Sequence, residues 1–238
     1  MIDNFLQIAK APENPYLNKW REQDGKIVGY TCSYVPDELL HAGGILPFRI
    51  RASQSEKTNI GDTYFGPFIC SLPKCMLQLA GEGVYKFLDG AIITAGCDSM
   101  RRLHECWRKA NQDIANILPE FFFHLGVPHK PSSYSVKWFE EELNRLVQGL
   151  QDQFQISISD QNIRDSINLY NKSRELIQKL EQERQSNNPP VSGAEALGIY
   201  ITCSSIPRQD FIDLLSGFIE QKQDPNRFRD RKRLMLIG

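Results

Sequence analysis

The stretch "GKIVGYTCSYVPDELLHAGGILPFRI", residues 25 to 50, constrains the fold more than any other part of the chain. A β-branched run, "KIVGYT" (26–31), is followed by the helix signal "PDELLHAGG" and a second apolar run, "ILPFRI" (45–50). Pro36 suits the first helical position, where its missing N–H removes no bond. Asp37 and Glu38 follow in the first turn, where carboxylates favour the positive helix end. Gly43 and Gly44 then stop the helix. Strand, helix and strand in so short a span make a β-α-β unit, the building block of parallel sheets.

The alternation continues downstream. "AIITAG" (91–96) reads as a buried strand by its short β-branched run. "CDSMRRLHECWRKA" begins a helix directly after it, with Asp98 and Ser99 as cap candidates, and "EFFFHLGVP" (120–128) is a further apolar strand. "SEKTNIGDTYFGPF" (55–68) reads as a loop of turn formers, and "CSLPKCMLQLAGEG" as a helix with a glycine stop. Residues 2–22 form an amphipathic helix broken near "APENP".

Beyond residue 131 the pattern becomes helical. One long amphipathic helix places Trp138, Leu143, Leu146, Val147 and Leu150 on one face, and a second does the same with Ile163, Ile167, Tyr170 and Ile177. Ser192 with Glu195 three residues on forms a capping box for a further helix. The last residues, "RLMLIG", read as the first strand of another α/β domain. The expected organisation is an α/β domain over 1–131, a helical segment over 132–230, and the start of a truncated second α/β domain over 231–238.

A formal net charge of −1 gives no reason to expect nucleic acid or a membrane surface as partner. No apolar run approaches the roughly twenty residues a membrane span needs. The N-terminus carries Asp3 early and lacks the apolar core of a secretory signal, so a cytoplasmic protein is expected.

The six cysteines (Cys32, Cys70, Cys75, Cys97, Cys106, Cys203) do not suggest a disulfide framework in a chain of this size. No GxGxxG stands between strand and helix, and no phosphate loop, HExxH, GxSxG or ferredoxin-like CxxCxxC occurs. The four histidines (His41, His104, His124, His129) lack metal-ligand spacing. A metal site would therefore have to draw on cysteines that are distant in sequence.

Parallel strands make that possible. Ligands collect outside the carboxyl ends of strands in open α/β sheets. Cys32 follows "KIVGYT", Cys97 follows "AIITAG", and Cys70 opens the helix at "CSLPK". Three thiols thus face one rim, each near a helix N-terminus whose dipole favours negative charge. The plainer reading is that small buried cysteines pack at strand ends. Cys75, Cys106 and Cys203 are assigned to packing.

The segments "GYTCSYVPDELLHAGGILPFRI", "GDTYFGPFICSLPKC" and "LDGAIITAGCDSMRRLHECW", with "VPHK" (127–130) and "PPVSGAEALG" (189–198), resemble the benzoyl-CoA reductase / 2-hydroxyglutaryl-CoA dehydratase superfamily. The resemblance runs in order from about residue 20 to the end. It implies Rossmann-like (flavodoxin-like) α/β domains with helical elements, and a dimer of two related subunits. It further implies a [4Fe–4S] cluster on three cysteine thiolates, fed by an ATP-hydrolysing iron–sulfur activator protein and acting on an acyl-CoA thioester.

The cysteines of the family's two ligand segments fall on Cys70 and Cys97, and the resemblance implies that both are cluster ligands. In relatives the third ligand comes from the second α/β domain; Cys32, in the helix opening that lines the relatives' cleft, is the candidate here. Ser33 and Glu38, beside Cys32, are candidates for proton transfer, with first-turn electrostatics the simpler reading of Glu38. Arg101 or Arg102 is a candidate partner for a CoA phosphate, against plain solvent exposure. Dehydratase and reductase both remain open, as do an electron-transfer protein of the same superfamily and a non-catalytic partner subunit.

Overall fold

A computed structural model of the chain describes residues 1–53, 55–221, 227–228, 231–232 and 234. Four strands, β1 (Ile27–Tyr30), β2 (Leu46–Arg49), β3 (Gly90–Thr94) and β4 (Phe121–Leu125), form one sheet in the order β2-β1-β3-β4. Every pairing is parallel, and Tyr30 lies between Arg49 on one side and Ile92 on the other. This is the expected α/β Rossmann-like sheet. The central strands β1 and β3 are buried along their whole length, as parallel strands covered on both faces must be.

Helices cover both faces. α5 (Ser71–Gly81) and α6 (Asp98–Asp113) lie on one, where Met76, Leu77, Leu103 and Trp107 pack against Phe48 and Ile93. On the other lie α3 (Asp37–Ala42) and α7 (Ser133–Phe154), where Leu40, Leu146 and Leu150 meet Val28, Tyr30 and Ile92. Each such fully buried aliphatic side chain contributes roughly 1.5–3 kcal/mol. A separate helical cluster joins α1 (Ile2–Lys10), α9 (Gly193–Cys203), α10 (Arg208–Glu220) and the end of α8 (Asp160–Arg184) through Phe5, Leu180, Ile199, Phe211 and Leu215. The remaining helix of the N-terminal pair, α2 (Pro15–Glu22), is capped by Asn14, whose Oδ1 accepts from the amides of Tyr16 and Leu17.

Four local expectations need correction. The expected loop 55–68 contains a helix, α4 (Asn59–Tyr64). Gly61, which reads as a turn former, is instead a contact residue: a Cβ there would lie 2.5 Å from the Lys74 carbonyl oxygen on α5. Asp62 and Lys74 close the same contact with a 2.8 Å ion pair. Pro36 is the N-cap of α3 rather than its first helical residue. Cys97, extended at φ −155° and ψ 165°, is the N-cap of α6, so Asp98 and Ser99 lie inside the helix. On α8, Ile167 is 41% exposed, and the buried stripe runs through Ser166, Tyr170, Ser173 and Leu180. Ser166 and Tyr170 of that stripe meet His41 of α3, whereas Leu180 packs in the helical cluster.

The capping box of Ser192 and Glu195 is present at the start of α9. The expected strand at 231–238 falls largely outside the described residues. At each flank of the sheet one outward backbone group is paired with a helical element. Arg49 N–H on β2 donates to the Ser204 carbonyl (2.9 Å). On β4 the His124 carbonyl accepts from Arg145 of α7 (2.7 Å). Among the described residues no helix is long and apolar enough to cross a membrane.

Candidate functional site

β1 and β3 are adjacent and parallel, so the turns leaving them emerge on the same edge of the sheet. α5 precedes β3 in the chain and runs back against the strands, which places its N-terminus on that edge too. Cys97 and Cys70 are the N-caps of α6 and α5, both exposed, and neither helix start receives a side-chain cap bond. Backbone N–H groups at such a start are free to face a negative group. Cys32 is half-buried in the turn after β1, and Ser33 beside it is exposed. This turn reaches the β3–α6 turn directly: a Cβ on Gly96 would lie 3.0 Å from the ring of Tyr34. Beneath them Thr94 Oγ1 is buried with no hydrogen-bond partner.

The rim is apolar as well as thiol-bearing. Phe68 (86% exposed) and Leu72 flank Cys70, Tyr34 lies next to the residue before Cys97, and Tyr134 and Val136 stand exposed at the start of α7. The donor type suits an iron–sulfur cluster, but the donor number does not. Among the described residues no three His, Cys, Asp or Glu side chains are grouped so as to hold a metal ion. Cys32, Cys70 and Cys97 are thus not grouped as a three-donor set as they stand.

Glu38 is not a free carboxylate. It forms an ion pair with Arg174 of α8. Its neighbour Asp37 is bonded by Arg208 of α10, Nη2 to Oδ2 at 3.1 Å, and by the Tyr30 hydroxyl at 3.4 Å. Arg208 is only 8% exposed; its guanidinium stacks 4.0 Å above the Tyr170 ring and donates to Cys203 Sγ. Its Nε is buried without a partner. One turn along α3, His41 Nδ1 is 2.7 Å from Ser166 Oγ, and its ring meets Tyr170 edge-on at 5.5 Å.

Burial dominates the electrostatics of this group. It raises the Asp37 carboxyl, an effect that the nearby Arg208 charge opposes. It raises the phenols of Tyr30 and Tyr170 and the thiol of Cys203, so all three are neutral at ordinary pH. His41 is lowered by burial and by Arg208. Arg208, with Asp37 as its counter-ion, keeps its proton despite burial. Arg51, at the end of β2, is lowered to about 10 by burial and donates to the Ile201 carbonyl at 3.1 Å.

Sequence reasoning did not find this cluster. One signal for it existed: Arg208 opens α10, where a cation opposes the helix dipole and so needs another reason to be there. Cys203 packs in the helical cluster as expected, with the added bond from Arg208. Cys106 packs against the sheet core and donates to the Tyr64 carbonyl at 3.4 Å. Cys75 is half-buried on α5. Arg101 and Arg102 are each more than half exposed and paired with Asp98 and Glu105.

The family model described as 2-hydroxyglutaryl-CoA dehydratase, D-component, matches residues 32–238. A benzoyl-CoA reductase subunit of Thauera aromatica is 26% identical over 84% of this chain and 52% of its own length. The (R)-2-hydroxyglutaryl-CoA dehydratase beta subunit of Acidaminococcus fermentans is 27% identical over 73% of this chain and 45% of its own. The lactoyl-CoA dehydratase beta subunit of Anaerotignum propionicum is 24% identical over the whole chain and 62% of its own. The chain thus spans about half the length of the first two of these relatives. With nearly all of it covered by one family model, the chain belongs to the 2-hydroxyglutaryl-CoA dehydratase D-component family.

Proposed function

We propose that the chain belongs to an iron–sulfur subunit of an acyl-CoA dehydratase or aryl-CoA reductase. Its substrate class is an acyl-CoA thioester: a (R)-2-hydroxyacyl-CoA for dehydration, or an aromatic thioester for reduction. Its partners are a related second subunit and an ATP-dependent activator that supplies a low-potential electron. Cys70 and Cys97 contribute two thiolates to a [4Fe–4S] cluster, with Cys32 as the candidate third.

The observation that carries the reading is the pair of exposed N-cap thiols on one strand edge, in a chain whose relatives are named dehydratase and reductase subunits. Helix starts supply N–H dipoles that offset the negative charge of a thiolate-bound cluster. Ser33, exposed beside Cys32, is the available proton-transfer group, whereas Glu38 is held by Arg174.

The test is anaerobic reconstitution with iron and sulfide, followed by metal analysis and EPR, on the wild type and on Cys70→Ser, Cys97→Ser and Cys32→Ser. Cluster retention by the wild type and its loss in the first two variants is the expected result. Equal iron in wild type and both variants, or none in any, overturns the assignment. Incubation with activator, ATP and each thioester class then separates loss of water from reduction.

A further inference from the structure

We propose that Arg208 is a positioning residue whose guanidinium, clamped on Tyr170, fixes α3 and with it the turn carrying Cys32, Ser33 and Tyr34. This role needs only the geometry and is independent of the acyl-CoA reading.

α3 has six residues, too few to hold its own shape in water. Leu40 buries one side of it. Three polar side chains of the same helix, Asp37, Glu38 and His41, are each held by α8 or α10. All three contacts converge on Tyr170, which is 2% exposed: Arg208 stands 4.0 Å over its ring, Arg174 lies 6.0 Å from its centre, and His41 meets its edge.

A methionine would fill the place of Arg208 without stripping water from a charge, so apolar packing is not what the arginine adds. What it adds is direction. A planar fork stacked on a ring offers its N–H groups along fixed lines, and only one placement of Asp37 meets them.

The link from Asp37 to the turn is short and stiff. Pro36 restricts the residue before it, Val35 is buried, and Val35 N–H closes the turn onto the Cys32 carbonyl at 3.1 Å. At the other end Thr31 N–H donates to Ile92 O at 3.2 Å, and Thr31 Oγ1 accepts from Thr94 N–H at 3.3 Å. The turn is therefore strung between an anchored strand end and a clamped helix start. Tyr34 is pressed against Gly96, the residue before Cys97.

Alkylation of each thiol by iodoacetamide, followed by peptide mass spectrometry on the full chain, reads this out. Arg208→Met is expected to speed Cys32 labelling about tenfold, because opening of the turn no longer has to break the clamp. Arg174→Gln is expected to speed it about threefold, and Arg208→Lys, which keeps the charge but loses the stacked fork, to speed it nearly as much as Arg208→Met. Cys70 and Cys97, already exposed, stay within about twofold, and half-buried Cys106 stays slow. An unchanged Cys32 rate in folded Arg208→Met overturns the proposal. So does a rise of Cys106 in parallel with Cys32, which marks general loosening. Where Arg208→Met does not fold, Arg174→Gln decides: a selective rise at Cys32 supports the clamp, and no change overturns it.

Discussion

The pair of imidazoles between α6 and β4 makes stability depend on pH in a defined window. His104 and His124 have ring centroids 4.9 Å apart, and His104 also stacks on Phe122 at 5.0 Å and 9°. Burial, then His124, then Arg108 lower His104 to about 4, with Glu105 opposing. Burial and Arg145 lower His124, against Glu142 and Glu105, while Arg101 adds to the lowering. The folded pKa lies below the unfolded value near 6.5, so acid protonates the unfolded chain first. The stabilisation is complete above about pH 6.5 and is lost as pH falls towards about 4.

The interval from 6.5 to about 4 corresponds to an upper bound of about 3 kcal/mol. The side chain is half-buried, and solvent screening reduces this to about 1–2 kcal/mol. For a chain of this length that is a melting-temperature change of roughly 3–6 °C. Thermal unfolding followed by circular dichroism at about pH 7.5 and about pH 5 measures it, a window above the titration of most carboxylates. His104→Phe keeps the stack on Phe122 and removes the titration. The variant is expected to lose less stability on acidification than wild type by most of that amount. A difference between wild type and variant that is the same at both pH values refutes the reasoning.

Three further outcomes follow from the packing. Arg208→Met leaves Asp37 buried without its counter-ion and is expected to cost about 3–5 kcal/mol by urea unfolding, whereas Arg174→Gln, in a half-exposed pair, costs less than about 1 kcal/mol. Gly61→Ala drives a Cβ against the Lys74 carbonyl and is expected to destabilise the chain by about 1–3 kcal/mol in the same assay. Trp107→Ala removes a fully buried ring and its bond to the Ile117 carbonyl, with an expected loss of about 3–5 kcal/mol read as a lower denaturation midpoint.

Much of the α/β layer is legible in the sequence because its signals are local. The four strands are short apolar runs, and α3 and α9 carry their own start signals. What was not legible depended on distance. α4 was hidden because Gly61 serves a contact with α5, not a turn. On α8 the expected face holds at Tyr170 and Ile177, while Ile167 turns outward because Ser166 takes the inner position against His41. Asp37 and Arg208 are separated by 171 positions, and no periodicity joins them. For the thiols, sequence placed Cys70 and Cys97 at helix starts, where they are. It carried no information on where further donors lie.

The two flanks of the sheet have a consequence for assembly. The amide of Arg49 is spoken for by a helix-end carbonyl, and the carbonyl of His124 by the guanidinium of Arg145. A foreign strand pairing at either of these groups would have to displace the contact already in place before it gained that bond. At these two points strand addition gains nothing until the contact already made is broken.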